Sequence, residues 1–150
     1  MGLYLISPYN QNQYNRNKNL NQSQSNRDQV DLYSNLVFTG RVSDSKLVDY
    51  YSNALCFVFS SLYEGFGIPP MEAQACKCQV VVSDIPSLKE VYGESALYFN
   101  HNNVDDIARS IELLLNDENL RENYILKGQK KLKKYSWVKS AIQLKNLVNE

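Results

Sequence analysis

Ser60-Ser61-Leu62-Tyr63-Glu64-Gly65-Phe66-Gly67-Ile68-Pro69-Pro70-Met71-Glu72 is the stretch on which the fold turns. It follows Cys56-Phe57-Val58-Phe59, a short run with the β-branched and aromatic content of a strand buried on both faces. Pro69-Pro70 suits the first turn of a helix, where a missing N–H costs nothing. The order is therefore strand, loop, helix, with the helix expected from Pro70 to about Cys76 and Glu72 in its first turn.

In an open α/β sheet such a loop lies at the carboxyl edge of the strands, where ligands bind. Gly65 and Gly67 would let backbone N–H groups approach a ligand, and the helix behind them would present free donors and a partial positive charge to an anion. Glu64 on the loop and Glu72 on the helix add two acids that can accept from hydroxyl groups. A phosphate-bearing ligand with hydroxyls suits that set. Ordinary loop and helix-start chemistry explains the same residues, because Gly and Pro are common in loops and acids are favoured near helix N-termini. On spacing alone the two readings stand level.

Outward from this stretch, strands are expected at Asn35–Thr39, Gln79–Ser83 and Ala96–Phe99, with a further short strand at Leu3–Ser7. Helices are expected over Asp44–Asn53, capped by Ser43, and around Leu88–Tyr92. Ile107, Ile111, Leu114 and Leu115 recur at helical spacing after Asp105-Asp106. Leu120, Tyr124, Gly128 and Leu132 mark another helix, and Trp137, Ala141, Leu144 and Val148 a last one. Between residues 10 and 29, Asn and Gln fill twelve of twenty positions, too polar a composition to bury a helix face. The division that follows is 1–34 as an incomplete first strand with a polar segment, 35–135 as the main domain and 136–150 as a terminal helix. Alternation of strand and helix gives the fold class: α/β, a Rossmann-like parallel sheet with helices on both faces, ending in C-terminal helices.

Composition narrows the partners. Lys plus Arg and Asp plus Glu number 16 each, so no global field draws the chain to nucleic acid or to an anionic membrane. The run Lys130, Lys131, Lys133, Lys134 reads as a solvated helix face. Cys56, Cys76 and Cys78, with His101 as the single histidine, form neither a disulfide framework nor a metal-ligand pattern, and no metal site is expected. No apolar run reaches the ~20 residues that span a bilayer. The expected location is the cytoplasm or the cytoplasmic face of a membrane.

Taken together, several pieces resemble the C-terminal, donor-binding domain of retaining glycosyltransferases of the GT-B fold, family 4, often called glycosyl transferases group 1. They are Val37-Phe38-Thr39-Gly40, Phe57-Val58-Phe59-Ser60-Ser61, Glu64 through Ala73, Ser87-Leu88-Lys89-Glu90-Val91-Tyr92-Gly93, and Ser136-Trp137. The resemblance implies transfer of a hexose, with retention, from a nucleotide-diphosphate sugar to a sugar or lipid-linked acceptor. Glu64 would lie against the donor sugar near the reacting carbon and Glu72 would hold ribose hydroxyls. Gly65, Phe66, Gly67 and Ile68 would contact sugar and phosphate, and Val42 the base. No metal or other cofactor is implied. The Ser87–Gly93 segment points to GDP-mannose, with a UDP-sugar as the other donor.

Two departures from the family pattern bear on activity. The strand and helix that normally carry an Arg and a Lys for the diphosphate are not recognisable, nor is an acceptor domain, which leaves Arg41 and Lys46 as stand-ins. Lys77 and Gln79 occupy places where the family has Gly and Pro; a left-handed conformation at Lys77 would cost on the order of 1 kcal/mol. The expectation is a truncated donor half, inactive alone and reliant on another domain for its acceptor. The alternative is a non-catalytic remnant that binds nucleotide weakly or serves as an interaction module.

Overall fold

A computed structural model of the chain describes Val37 and residues 39–149. The expected strand Leu3–Ser7, the Asn/Gln-rich segment and most of the expected strand Asn35–Thr39 lie outside the described residues. Val37 and Thr39, the two described members of that last stretch, are not in a strand.

The remaining elements alternate as expected. Helix α1 is Asp44–Asn53, strand β1 Phe57–Phe59, helix α2 Ile68–Ala75, strand β2 Val80–Ser83 and helix α3 Pro86–Tyr92. A 3₁₀ turn, Gly93–Ser95, leads to β3, Leu97–Phe99. Helices α4 (Val104–Asn116), α5 (Glu118–Leu132) and α6 (Trp137–Val148) complete the chain. Side-chain caps start the helices that sequence reading marked: Ser43 Oγ accepts from Lys46 N–H at 3.4 Å, and Ser136 Oγ from Lys139 N–H at 3.5 Å.

The three strands are parallel in the order β1-β2-β3, with Phe57 opposite Val80 and Val81 opposite Leu97. Pleating sends alternate residues to opposite faces. Phe57, Phe59, Val80 and Val82 meet Tyr51 of α1, Ala73 of α2 and Leu88, Val91 and Tyr92 of α3 on one face. Cys56, Val58, Val81 and Phe99 meet Leu114, Ile107 and Ile111 of α4 and Leu120 and Tyr124 of α5 on the other. Helices therefore cover both faces, which is why Val80, Val81 and Val82 are wholly buried in succession. Each contributes about 1.5–3 kcal/mol of apolar burial. Burial pushes the Cys56 thiol up to about 11 and, with Cys56 and Cys76 nearby, the Cys78 thiol up to about 12; both act as small apolar groups of the core.

Helix α2 ends in a Schellman motif. Cys78 N–H bonds the Ala73 carbonyl at 2.9 Å and Lys77 N–H the Gln74 carbonyl at 3.0 Å. This closure needs a left-handed residue, and Lys77 takes it with φ 61°, alone among the described non-glycine residues. The left-handed conformation costs an L-residue about 1–2 kcal/mol. Lys77→Gly is accordingly expected to raise unfolding stability by about 1 kcal/mol, read as a higher denaturant midpoint at unchanged slope. A midpoint equal to or below that of the parent chain would show that the cap is not strained.

Candidate functional site

The site lies at the carboxyl edge of the sheet. β1 delivers the chain there at Phe59, residues 60–67 form the loop, and α2 departs from it. Helix α1 runs back against β1 through a short connection, so its N-terminus, and with it Arg41 and Val42, comes to the same edge. Val42 is half-buried there and Arg41 exposed.

Glu64 is half-buried at the middle of the loop, and Ser61 Oγ donates to its Oε1 at 3.0 Å. Ser61 Oγ also lies 3.1 Å from the Tyr63 carbonyl, so its single proton is shared between the turn and the carboxylate. Sequence reading missed this role, although a Ser three residues before a loop acid is a visible signal for a local side-chain bond. Phe66 is held edge-on by Tyr135, with ring centroids 5.4 Å apart at 89°. Leu62, Tyr63, Phe66 and Ile68 are exposed around the carboxylate.

Gly67 is the hinge of the site. It caps α2 with φ 75° and is itself buried. A Cβ added there would lie 2.6 Å from Leu88 Cδ2 and 3.7 Å from both Phe59 and Tyr92. The Tyr92 hydroxyl donates to its carbonyl oxygen. Gly67 is thus demanded by core packing alone. At Gly65, in contrast, an added Cβ meets nothing within 4 Å.

Helix α2 begins at Ile68, two residues before the expected start, because the left-handed Gly67 turns the chain into helix before the prolines are reached. Both prolines stay in the first turn, but Glu72 moves to the second. This corrects its expected place. Glu72 is exposed, and its charge joins burial in raising the Tyr51 phenol of α1 well above its ordinary range. Pro69 and Pro70 have no N–H, which reduces the free donors of this helix start to Ile68. Among the described residues the N–H groups of Gly65, Phe66, Gly67 and Ile68 find no acceptor.

Of the two cations considered as stand-ins for a diphosphate site, Lys46 pairs with Asp49 at 2.7 Å on the exposed side of α1. Lys89 pairs with Asp84 at 2.7 Å, at the end of β2. Among the described residues no cluster of three or more His, Cys, Asp or Glu could hold a metal ion, and no helix is long and apolar enough to cross a membrane.

Comparison with known proteins gives the arrangement its context. The serotype-specific mannosyltransferase WbdA of Escherichia coli is 40% identical over 108 residues, 72% of this chain and 13% of that protein. O-antigen chain mannosyltransferase B of Escherichia coli is 38% identical over 109 residues, 73% of this chain and 29% of that protein. The chain thus spans less than a third of either relative. Among solved structures, sucrose-phosphate synthase from Thermosynechococcus elongatus superposes with a TM-score of 0.78 over 98% of this chain and 37% of its own, at 24% identity. TarM superposes with a TM-score of 0.68 over 79% of this chain and 24% of its own, also at 24% identity. Those likenesses establish the fold, a Rossmann-like half of the GT-B type. A family model described as "Glycosyl transferases group 1" matches residues 15–131, a range that takes in part of the polar segment and stops before α6. The chain belongs to the glycosyl transferases group 1 family.

Proposed function

We propose that this chain is the donor-binding half of a retaining hexosyltransferase and that its donor is a nucleotide-diphosphate sugar. The observation that carries the reading is the loop itself. A carboxylate held by Ser61 stands next to a run of unengaged backbone N–H groups, Gly65 to Ile68, at the carboxyl edge of a parallel sheet. Negative phosphate oxygens suit the N–H groups and the positive end of α2. The sugar would lie against Glu64, close to the carbon that changes partners, and Glu72 would accept from ribose hydroxyls. Val42, at the start of α1, would border the base. Preorganised donors of this kind stabilise charge as it develops on the departing diphosphate. We assign that work to the loop without a bound metal.

Mannose is the sugar we favour, because the relatives described above are mannosyltransferases, and GDP-mannose is the donor we favour over a UDP-sugar. The acceptor, a sugar or a lipid-linked glycan, would be held by a separate domain, with the working enzyme in the cytoplasm or at the cytoplasmic membrane face. By itself the chain is expected to bind donor and to transfer nothing. Calorimetric titration with GDP-mannose and with UDP-glucose tests this: binding of GDP-mannose below millimolar concentration is expected, and absence of heat with both at millimolar ligand would sink the reading in favour of a non-catalytic remnant. Sugar transfer by these residues alone, abolished in Glu64→Ala, would overturn the assignment of the chain as half an enzyme.

A further inference from the structure

Tyr92, at the end of α3, is wholly buried, yet its hydroxyl reaches the first turn of α2, twenty-five residues earlier in the chain. It donates to the carbonyl oxygen of Gly67. One side chain therefore ties the cap of α2 to the core. The hydroxyl is fixed in turn, because the ring packs in the main core cluster with Leu88, Phe59 and Ala73.

The direction of that bond matters for the loop. A trans peptide points its C=O and its N–H to opposite sides. The peptide bond joining Gly67 to Ile68 carries the Gly67 carbonyl inward to Tyr92, so it carries the Ile68 N–H outward, toward residues 60–67. With Pro69 and Pro70 following, Ile68 is the one residue among the first three of α2 that has an N–H to offer. In most helix starts three donors share this task and misalignment of one is tolerated. Here a single peptide plane aims the helix's own donor, beside the loop N–H groups of Gly65 to Gly67, and Gly67, left-handed and free of a Cβ, has no side chain of its own to hold that plane.

We infer that Tyr92 is a positioning residue for the donor diphosphate: its hydroxyl holds the Gly67 carbonyl inward and thereby aims the Ile68 N–H at a phosphate oxygen. The inference rests on the donor-binding reading above. It predicts an effect confined to ligands that carry the diphosphate, because base and ribose would be held elsewhere, at Val42 and Glu72.

Tyr92→Phe tests it, since the ring that fills the core is kept and only the hydroxyl is lost. GDP-mannose is expected to bind about tenfold more weakly to the variant, as for loss of one well-aimed bond, while guanosine binds both proteins equally. Without ligand, amide hydrogen exchange at Met71, one helical turn after the Gly67 carbonyl, is expected to quicken while Val81 in β2 is unchanged. Equal losses for guanosine and GDP-mannose, or no loss for either, would overturn the positioning role. So would exchange at Met71 that matches the parent chain. A parent chain that binds neither ligand would instead remove the donor-binding reading, and the exchange comparison would still decide whether Tyr92 sets the Ile68 peptide.

Discussion

Gly67→Ala is expected to destabilise the chain by about 2–5 kcal/mol, a large part of the 5–15 kcal/mol that holds a domain of this size together. Two separate costs add. An alanine at φ 75° meets the steric penalty of the left-handed region, about 1–2 kcal/mol. Its Cβ also arrives 2.6 Å from Leu88 Cδ2, in a core where Leu88 is itself fully buried, and such overpacking costs about 1–3 kcal/mol. Urea unfolding of the variant measures the sum. Pairing it with Leu88→Ala separates the parts: truncation of Leu88 removes the clash, so the double variant should lose less than the two single losses added together, and the shortfall is the steric share. The matched control is Gly65→Ala, where the new methyl meets open space and stability should stay within about 0.5 kcal/mol. A Gly67→Ala midpoint like that of Gly65→Ala would show that the loop relaxes around the extra carbon and that Gly67 is not the fixed hinge of the site.

The contrast between these glycines marks what sequence could and could not tell. Both sit in the same loop, and spacing offers them the same reason for being glycine. The difference comes from Leu88 and Tyr92, which α3 brings against Gly67 from more than twenty residues away. No local pattern carries that information. The strands are a different case: Phe57–Phe59 and Val80–Ser83 are legible because a central strand covered on both faces must be apolar at every position. Helix α1 is legible to the residue because its cap, Ser43, is adjacent to it. Helix α2 is legible in kind but not in extent, since Pro69-Pro70 marks a first turn without saying how many residues of that turn precede it. The error carried over to Glu72, placed one turn too early.

Helix α6 shows the remaining limit. Its apolar periodicity reads as a helix, and a helix it is, but Trp137 is 86% exposed and none of the helix is buried among the described residues. Periodicity reports that a face is apolar without saying what it meets. Lys77 lies between these cases. Its left-handed conformation follows from a comparison with a family that keeps glycine there, and the Schellman bonds of Cys78 and Lys77 give that expectation its physical cause.

Glu72→Ala is expected to weaken binding of a nucleotide-diphosphate sugar by about 1.5–3 kcal/mol, the range for hydrogen bonds to a charged group, which is roughly 10- to 150-fold in Kd. The change should cost the fold little. Glu72 is exposed in the second turn of α2, and alanine is the better helix former. An unchanged melting curve would then separate lost contact from lost structure. The position of the acid gives the prediction its sharper form. In the second turn Glu72 stands about one helical pitch behind the N-terminus that would face phosphate. That distance suits a sugar hydroxyl and not a phosphate, which a carboxylate would repel. A 2′,3′-dideoxy nucleotide sugar should therefore bind the parent chain and Glu72→Ala alike, because the hydroxyls that the carboxylate serves are missing from the ligand. Glu72→Gln, which keeps a carbonyl acceptor but loses the charge, should fall between. If Glu72→Ala weakens the dideoxy ligand as much as the intact one, the acid acts through the shape or field of the site and not by holding ribose. If it weakens neither, the edge between α1 and α2 is not where the nucleoside lies.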